Sequence, residues 1–359
     1  MLKLCGVLAC LFLIQACNNA RPNQDLKLGL LVSTSDEWAS VGQAIRQGAE
    51  LAIEEINSAG GVHGKTLTAI VEDSKEASSG ANAVTAYHSL RNRGVEFFIG
   101  PTGTPAGLSL APIIAHDPVL FVTPMVGVRD FSDASPNIFN VHGVDETGAR
   151  AMANAAYARG LTRAAVIASQ QPWESTQGKA FAQEFSRIGG SVVAHEESLP
   201  ESVDLRTHIA KVLAKAPQII FLSNFNRLPL TSRQLVAAGY SGPKYLALLD
   251  QSALDQAQGT LEGAEFATFE RPSPAFELKY VARFSDKPNL GADTGYDAVY
   301  SIVTAIKLAN SLSPSNVAVA LQNTSIDGAD GQVSFSGGRI ANRKVVRFRV
   351  SQGSIVPVE

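Results

Sequence analysis

The sequence predicts an α/β protein of two similar lobes, on three observations. From Leu26 the chain alternates short apolar runs with amphipathic stretches, which is the rhythm of β-α units on a parallel sheet. The rhythm restarts after Val141 in a second series of similar size. The chain is also long enough, at 359 residues with 45% apolar, to bury two substantial cores.

In the first series the strand LKLGLLV precedes a helix over 41–57, in which Val41, Ile45, Gly48, Ala52 and Ile56 recur at spacings of three or four. Ser40 and Gln43 form a capping box at its start. KTLTAIVED, a helix over 81–93 and VEFFIG follow. The second series runs through a helix over 146–159, AAVIAS, a helix over 177–188, SVVAHE, a helix over 205–215, QIIFLS, a helix over 228–238 and KYLALL. Residues 275–320 read as mostly helical, and VSFSGG with VVRFRVSQG reads as a strand pair. No low-complexity linker separates the lobes, so several crossings are expected to join them.

Charge and cysteine content narrow the function. Thirty Lys and Arg against 33 Asp and Glu, without a basic cluster, give no footprint for nucleic acid. Lys3 precedes the apolar run from Leu4 to Ile14, too short to span a bilayer, which reads as an export signal over 1–16. The junction Ile14-Gln15-Ala16-Cys17 resembles the lipobox of bacterial lipoproteins, which implies lipid attachment at Cys17, a tether over 17–25, and a periplasmic or cell-surface address. An ordinary cleaved signal with an incidental cysteine is the alternative. Cys5 and Cys10 leave with the signal, so no disulfide is expected.

Several apparent active-site signals fail on inspection. Ala59-Gly-Gly-Val-His-Gly-Lys65-Thr66 ends like a phosphate loop, but it lacks the first glycine and opens a strand where the motif opens a helix. The six histidines show no metal-ligand spacing. Ser109 lacks the second glycine of a nucleophile elbow. No catalytic set assembles, and neither a metal nor a cofactor is expected.

The informative stretch is IGPTGTPAGLSLAP, residues 99–112, followed by VLFVTPMVG, residues 119–127. A strand ends at Gly100 and a helix opens at Thr104-Pro105, with Thr104 expected as the cap and Pro105 as the first helical residue. The amides of such a start attract a carboxylate, unless this is simply a well-capped helix. The loop Met125-Val126-Gly127 should emerge at the same carboxyl edge of the sheet, where ligands of open α/β sheets bind.

With LKLGLLV, GQAIRQGAELAIEEINSAGGVHGKTL, GYDAVYSIVTAI and DGADGQVSFSGG in order, the chain resembles the branched-chain amino-acid-binding proteins of ABC importers, of the type I periplasmic binding fold. The resemblance covers nearly the whole chain. It implies two doubly wound, Rossmann-like lobes joined by three hinge crossings, with boundaries placed at 26–142 plus 271–331 and 143–270 plus 332–359. It implies a monomer that binds a small solute in the interlobe cleft and hands it to a permease with cytoplasmic ATPases. Thr104, with Thr102 in the same loop, falls where the family binds the ligand carboxylate. Met125 and Gly127 offer backbone groups alone. Trp173 matches the covering aromatic, Asn224 stands at a family tyrosine position, Asp250 is the candidate partner for a ligand amino group, and Trp38 is a cleft wall. Loop or core roles stay open for the tryptophans, as does a surface turn for Asp250. The ligand expected is an amino acid or related small carboxylate or amide. A regulatory lipoprotein of the same fold and an exported hydrolase are the competing readings.

Overall fold

The computed structural model describes residues 25–76, 80–270 and 272–358. The export signal and Cys17 lie outside the described residues.

The first lobe contains β1 (Leu26–Val32), α1 (Ala39–Ser58), β2 (Leu67–Asp73), α2 (Ala81–Asn92), β3 (Phe97–Ile99), α3 (Thr104–Ile114), β4 (Leu120–Thr123), α4 (Arg129–Ser132) and β5 (Ile138–Asn140). Its sheet is parallel throughout, in the order β2-β1-β3-β4-β5. β3 and β4 are buried along their whole length, as strands covered on both faces must be. On one face Phe98 and Phe121 stack at 4.6 Å.

The second lobe contains α5 (Glu146–Ala158), β6 (Arg163–Ser169), α6 (Pro172–Arg187), β7 (Ser191–Ser198), α7 (Arg206–Leu213), β8 (Ile219–Ser223), α8 (Leu228–Ala237), β9 (Lys244–Leu246), α9 (Gln251–Gln256) and β10 (Glu265–Phe269). The chain then returns to the first lobe through α10 (Pro274–Phe284), α11 (Ala292–Ala309), α12 (Pro314–Leu321) and the hairpin β11 (Ser325–Gly328) and β12 (Gly331–Ser334). It ends in the second lobe with β13 (Val345–Ser351) and β14 (Ser354–Pro357). The second sheet runs β14-β13-β10-β9-β8-β6-β7, with β13 and β14 antiparallel at one edge.

Three local expectations change. Helix α1 starts at Ala39 with no side-chain cap from Ser40; Asp36 turns the chain instead, accepting from the Trp38 amide at 2.9 Å and the Ser33 hydroxyl at 2.6 Å. The tail does not pair VSFSGG with VVRFRVSQG. Gln352 and Gly353 both adopt positive φ, a turn that folds β13 onto β14, while β12 pairs with β11. Consequently the boundary expected at 331/332 falls inside the first lobe: Val333, Phe335 and Ala341 pack in that lobe's core, and the chain leaves it between Ala341 and Val345.

The crossings are fastened to one another. Asn140, buried at the end of β5, donates to the carbonyls of Val126 (3.0 Å) and Gly143 (2.8 Å) and accepts from the amides of His142 and Gly143. Arg343, on the third crossing, donates to the Val141 carbonyl on the first. Its guanidinium also pairs with Asp297 of α11 and with Asp330 between β11 and β12.

Candidate functional site

The loops at the carboxyl ends of both sheets face each other across the interlobe cleft. Two cavities of about 30 and about 220 Å³ lie there, sharing Met125, His142, Leu248 and Leu290 in their walls.

The loop after β3 builds the first-lobe floor. Gly103, not Thr104, is the N-cap of α3, and it has no side chain to cap with. Glu76 instead fastens the residues just before the helix: its carboxyl group accepts from the Thr102 amide at 3.0 Å, from the Gly103 amide and from the Ser74 hydroxyl at 2.5 Å. Burial pushes the Glu76 carboxyl up to about 7 despite these donors. The sequence reading missed this residue. The Thr104 hydroxyl, which caps nothing, lines the smaller cavity with no hydrogen bond to another described residue. The Thr104 and Ala106 amides likewise lack an acceptor among the described residues, and Pro105 has no N–H. Thr102 reaches the same wall, but its hydroxyl accepts from the Ser33 amide at 2.9 Å and ties the loop to β1.

A counterpart stands in the second lobe. Glu174, at the start of α6, accepts from the Ser169 hydroxyl and from the Asn226 amide at 3.3 Å, holding the loop after β8 to the loop after β6. Its carboxyl too is pushed up to about 7 by burial. That loop carries two sequence-predicted or neighbouring residues. Asn224, expected in the site, is fully buried and turned away, donating to the Thr231 hydroxyl at 2.6 Å. Phe225 takes the cleft position and stacks on Trp38 of the first lobe, ring centroids 6.3 Å apart at 26°. A phenylalanine two residues past a buried strand was the available signal for it.

Trp173 lines the same cavity. Its indole N–H donates to Asp145 at 2.7 Å, and its ring packs on the first lobe's second core cluster. Asp145, on the first crossing, also binds His142 at 2.8 Å. Gly127 lines neither cavity; a Cβ there would come within 2.0 Å of the Asp145 carboxylate, so its role is to leave that carboxylate room. Met125 lies in both walls. Asp250 caps α9, accepting from the Ala253 amide at 2.7 Å, and faces the larger cavity, where burial pushes its carboxyl up. The structure therefore gathers Trp38, Thr102, Thr104, Met125 and Trp173 around one cavity and Asp250 around its neighbour. It adds Phe225, His142, Asp145, Gln171, Leu248 and Leu290.

Such an arrangement offers a donor cluster at Thr104, aromatic walls and carboxylates, which suits binding rather than bond-breaking. Among the described residues no cluster of His, Cys, Asp or Glu could hold a metal ion, and no helix is long and apolar enough to cross a membrane.

Comparison with known proteins agrees with this geometry. A family model described as "Periplasmic binding protein" matches residues 25–354. A Leu/Ile/Val-binding protein homolog of Brucella melitensis is 26% identical over 93% of this chain and 94% of its own. Among solved structures, a leucine-binding protein from Thermotoga maritima superposes with a TM-score of 0.85 at 22% identity, covering 93% of this chain and 98% of the other. A type 1 periplasmic binding protein from Bordetella pertussis gives 0.85 at 20%, covering 93% and 100%. A Rhodopseudomonas palustris solute-binding protein in complex with 3,4-dihydroxybenzoic acid gives 0.82 at 20%, covering 93% and 96%.

Proposed function

Because the chain belongs to the periplasmic binding protein family, we propose that it captures an amino acid or related small carboxylate or amide in the interlobe cleft and presents it to an ABC permease. The observation that carries this reading is the Thr104 hydroxyl. It stands at a helix start beside two amides without acceptors among the described residues, inside a cavity whose walls come from both lobes. Buried donors left unpaired are costly, and a carboxylate that enters satisfies them together.

Capture works by hinge closure. The Trp38–Phe225 stack joins the lobes across the cleft, so it parts to admit the solute and re-forms over it; the solute favours the closed form by touching both faces. Export and a lipid anchor at Cys17 would keep the domain at the membrane beside the permease and its ATPases, as a monomer. The names of relatives that bind leucine, isoleucine and valine support an amino-acid-sized ligand.

Thermal denaturation of the purified protein against a panel of amino acids, amides and small aromatic acids tests the reading. A ligand near a hundred times its Kd adds about 2.7 kcal/mol of stability, so at least one member should raise the melting temperature by several degrees. No shift with any of them would overturn solute capture.

A further inference from the structure

Beside the Thr104 start lies a carboxyl group whose bearing on capture deepens the reading above and rests on it. Glu76 is 1% exposed and pairs with no cation among the described residues. A Cβ built on Gly103 would stand 3.1 Å from Glu76 Oε2, and Gly103 lines the smaller cavity, so one glycine touches both this carboxyl and the space a solute enters. The Thr102 and Gly103 amides are bound to Glu76, while the next donors along the loop, the Thr104 amide and hydroxyl, have no acceptor among the described residues. A carboxylate at Thr104 therefore puts a second negative charge on consecutive donors of one loop. The charged groups around Glu76 do not offset it. Asp36, after β1, adds like charge; Asp73 and Lys75 are its chain neighbours; residues 100–114 carry no charge. In the cavity wall, Asp145 and His142 are already paired with each other.

A buried carboxyl without a cation ionises at a cost, and a second negative charge nearby raises that cost, so two carboxyl groups sharing a site hold on to a proton between them. We propose that carboxylate capture by this cleft is proton-linked: as the solute's carboxylate settles at Thr104, the Glu76 carboxylate takes one proton from solvent and becomes neutral. The Ser74 hydroxyl, 2.5 Å away, can turn from donor to acceptor and keep that proton paired, while the Thr102 and Gly103 amides retain their oxygen partners. Burial already pushes the Glu76 carboxyl up to about 7, so the proton is exchanged near neutral pH. The sign is definite. Below that value Glu76 is neutral before the solute arrives and affinity is level; above it a proton must first be taken up, and affinity for a carboxylate falls as pH rises. An uncharged amide makes no such demand.

Calorimetric titration of the purified protein with the carboxylates of the panel, L-leucine and benzoate first, counts the proton when it is run at pH 7.5 in both HEPES and Tris, because the two buffers give it up with different heats. Between about half and one proton should be taken up per carboxylate bound, and affinity should fall towards about tenfold per pH unit above pH 7. Glu76→Gln should abolish both effects. Should that variant fail to fold, Ser74→Ala removes a hydroxyl that bonds the ionised form more strongly than the neutral one, and should move the onset of the fall to higher pH. Carboxylate binding without proton uptake, uptake that persists in Glu76→Gln, or an onset unmoved in Ser74→Ala would overturn the linkage and leave solute capture standing. So would a panel from which only amides bind. Binding of no compound in the panel would remove both.

Discussion

Arg343→Met is expected to lower the free energy of unfolding by about 3–5 kcal/mol, measured by urea denaturation at pH 8. The side chain is 3% exposed and its two partners, Asp297 and Asp330, are buried, so removing the guanidinium strands two carboxylates in the hinge. Losing the donor to the Val141 carbonyl also uncouples the third crossing from the first. The pH dependence follows with a definite sign. Burial already pushes the Asp297 carboxyl up to about 7, with Arg343 opposing. A carboxyl raised in the folded state is protonated at no cost below its unfolded pKa, and its contribution to stability is lost as pH rises from about 4 towards 7. Without Arg343 both carboxyls rise further, so the deficit should be larger at pH 8 than at pH 5. Adding Asp297→Asn and Asp330→Asn to the variant should recover part of the loss, because no buried charge then remains uncompensated. A deficit independent of pH would mean that lost packing, not stranded charge, dominates.

Thr104→Val should weaken binding of any carboxylate ligand ten- to a hundredfold, the range of a hydrogen bond to a charged group, about 1.5–3 kcal/mol. The exchange keeps the side chain's shape, and the Thr104 hydroxyl makes no hydrogen bond to another described residue, so stability should change little. The start of α3 does not depend on this side chain: Gly103 is the N-cap, and Glu76 holds the loop before it. The variant therefore separates binding from folding, and calorimetry beside a denaturation curve reads both. Unchanged affinity would take Thr104 out of the site.

What the sequence made legible is what repeats. The β-α rhythm, the buried strands and the order of motifs located two lobes and the carboxyl edges, and with them Thr104, Met125, Trp38 and Trp173 at the cleft. Side chains that find their partners on distant elements were not legible. Glu76 follows β2 in the chain yet holds the loop that leads into α3, and nothing periodic links residue 76 to residues 102 and 103. The expected Thr104 cap failed because α3 starts one residue earlier, with Gly103 at the cap position and Thr104 already inside the helix. Asn224 and Phe225 are adjacent in sequence and point opposite ways, into the second lobe and across the cleft, a choice set by Thr231 and Trp38. The third crossing was placed too early because β12 resembles a tail strand; only its pairing with β11 shows which lobe it serves.

A crystal structure of the protein with the most stabilising compound of the panel tests the clamp most directly. The account predicts density between Trp38 and Trp173, touching both lobes, with an acceptor atom within about 3 Å of the Thr104 hydroxyl. A ligand seated on the outside of one lobe, with the Thr104 hydroxyl still unpartnered, would contradict it.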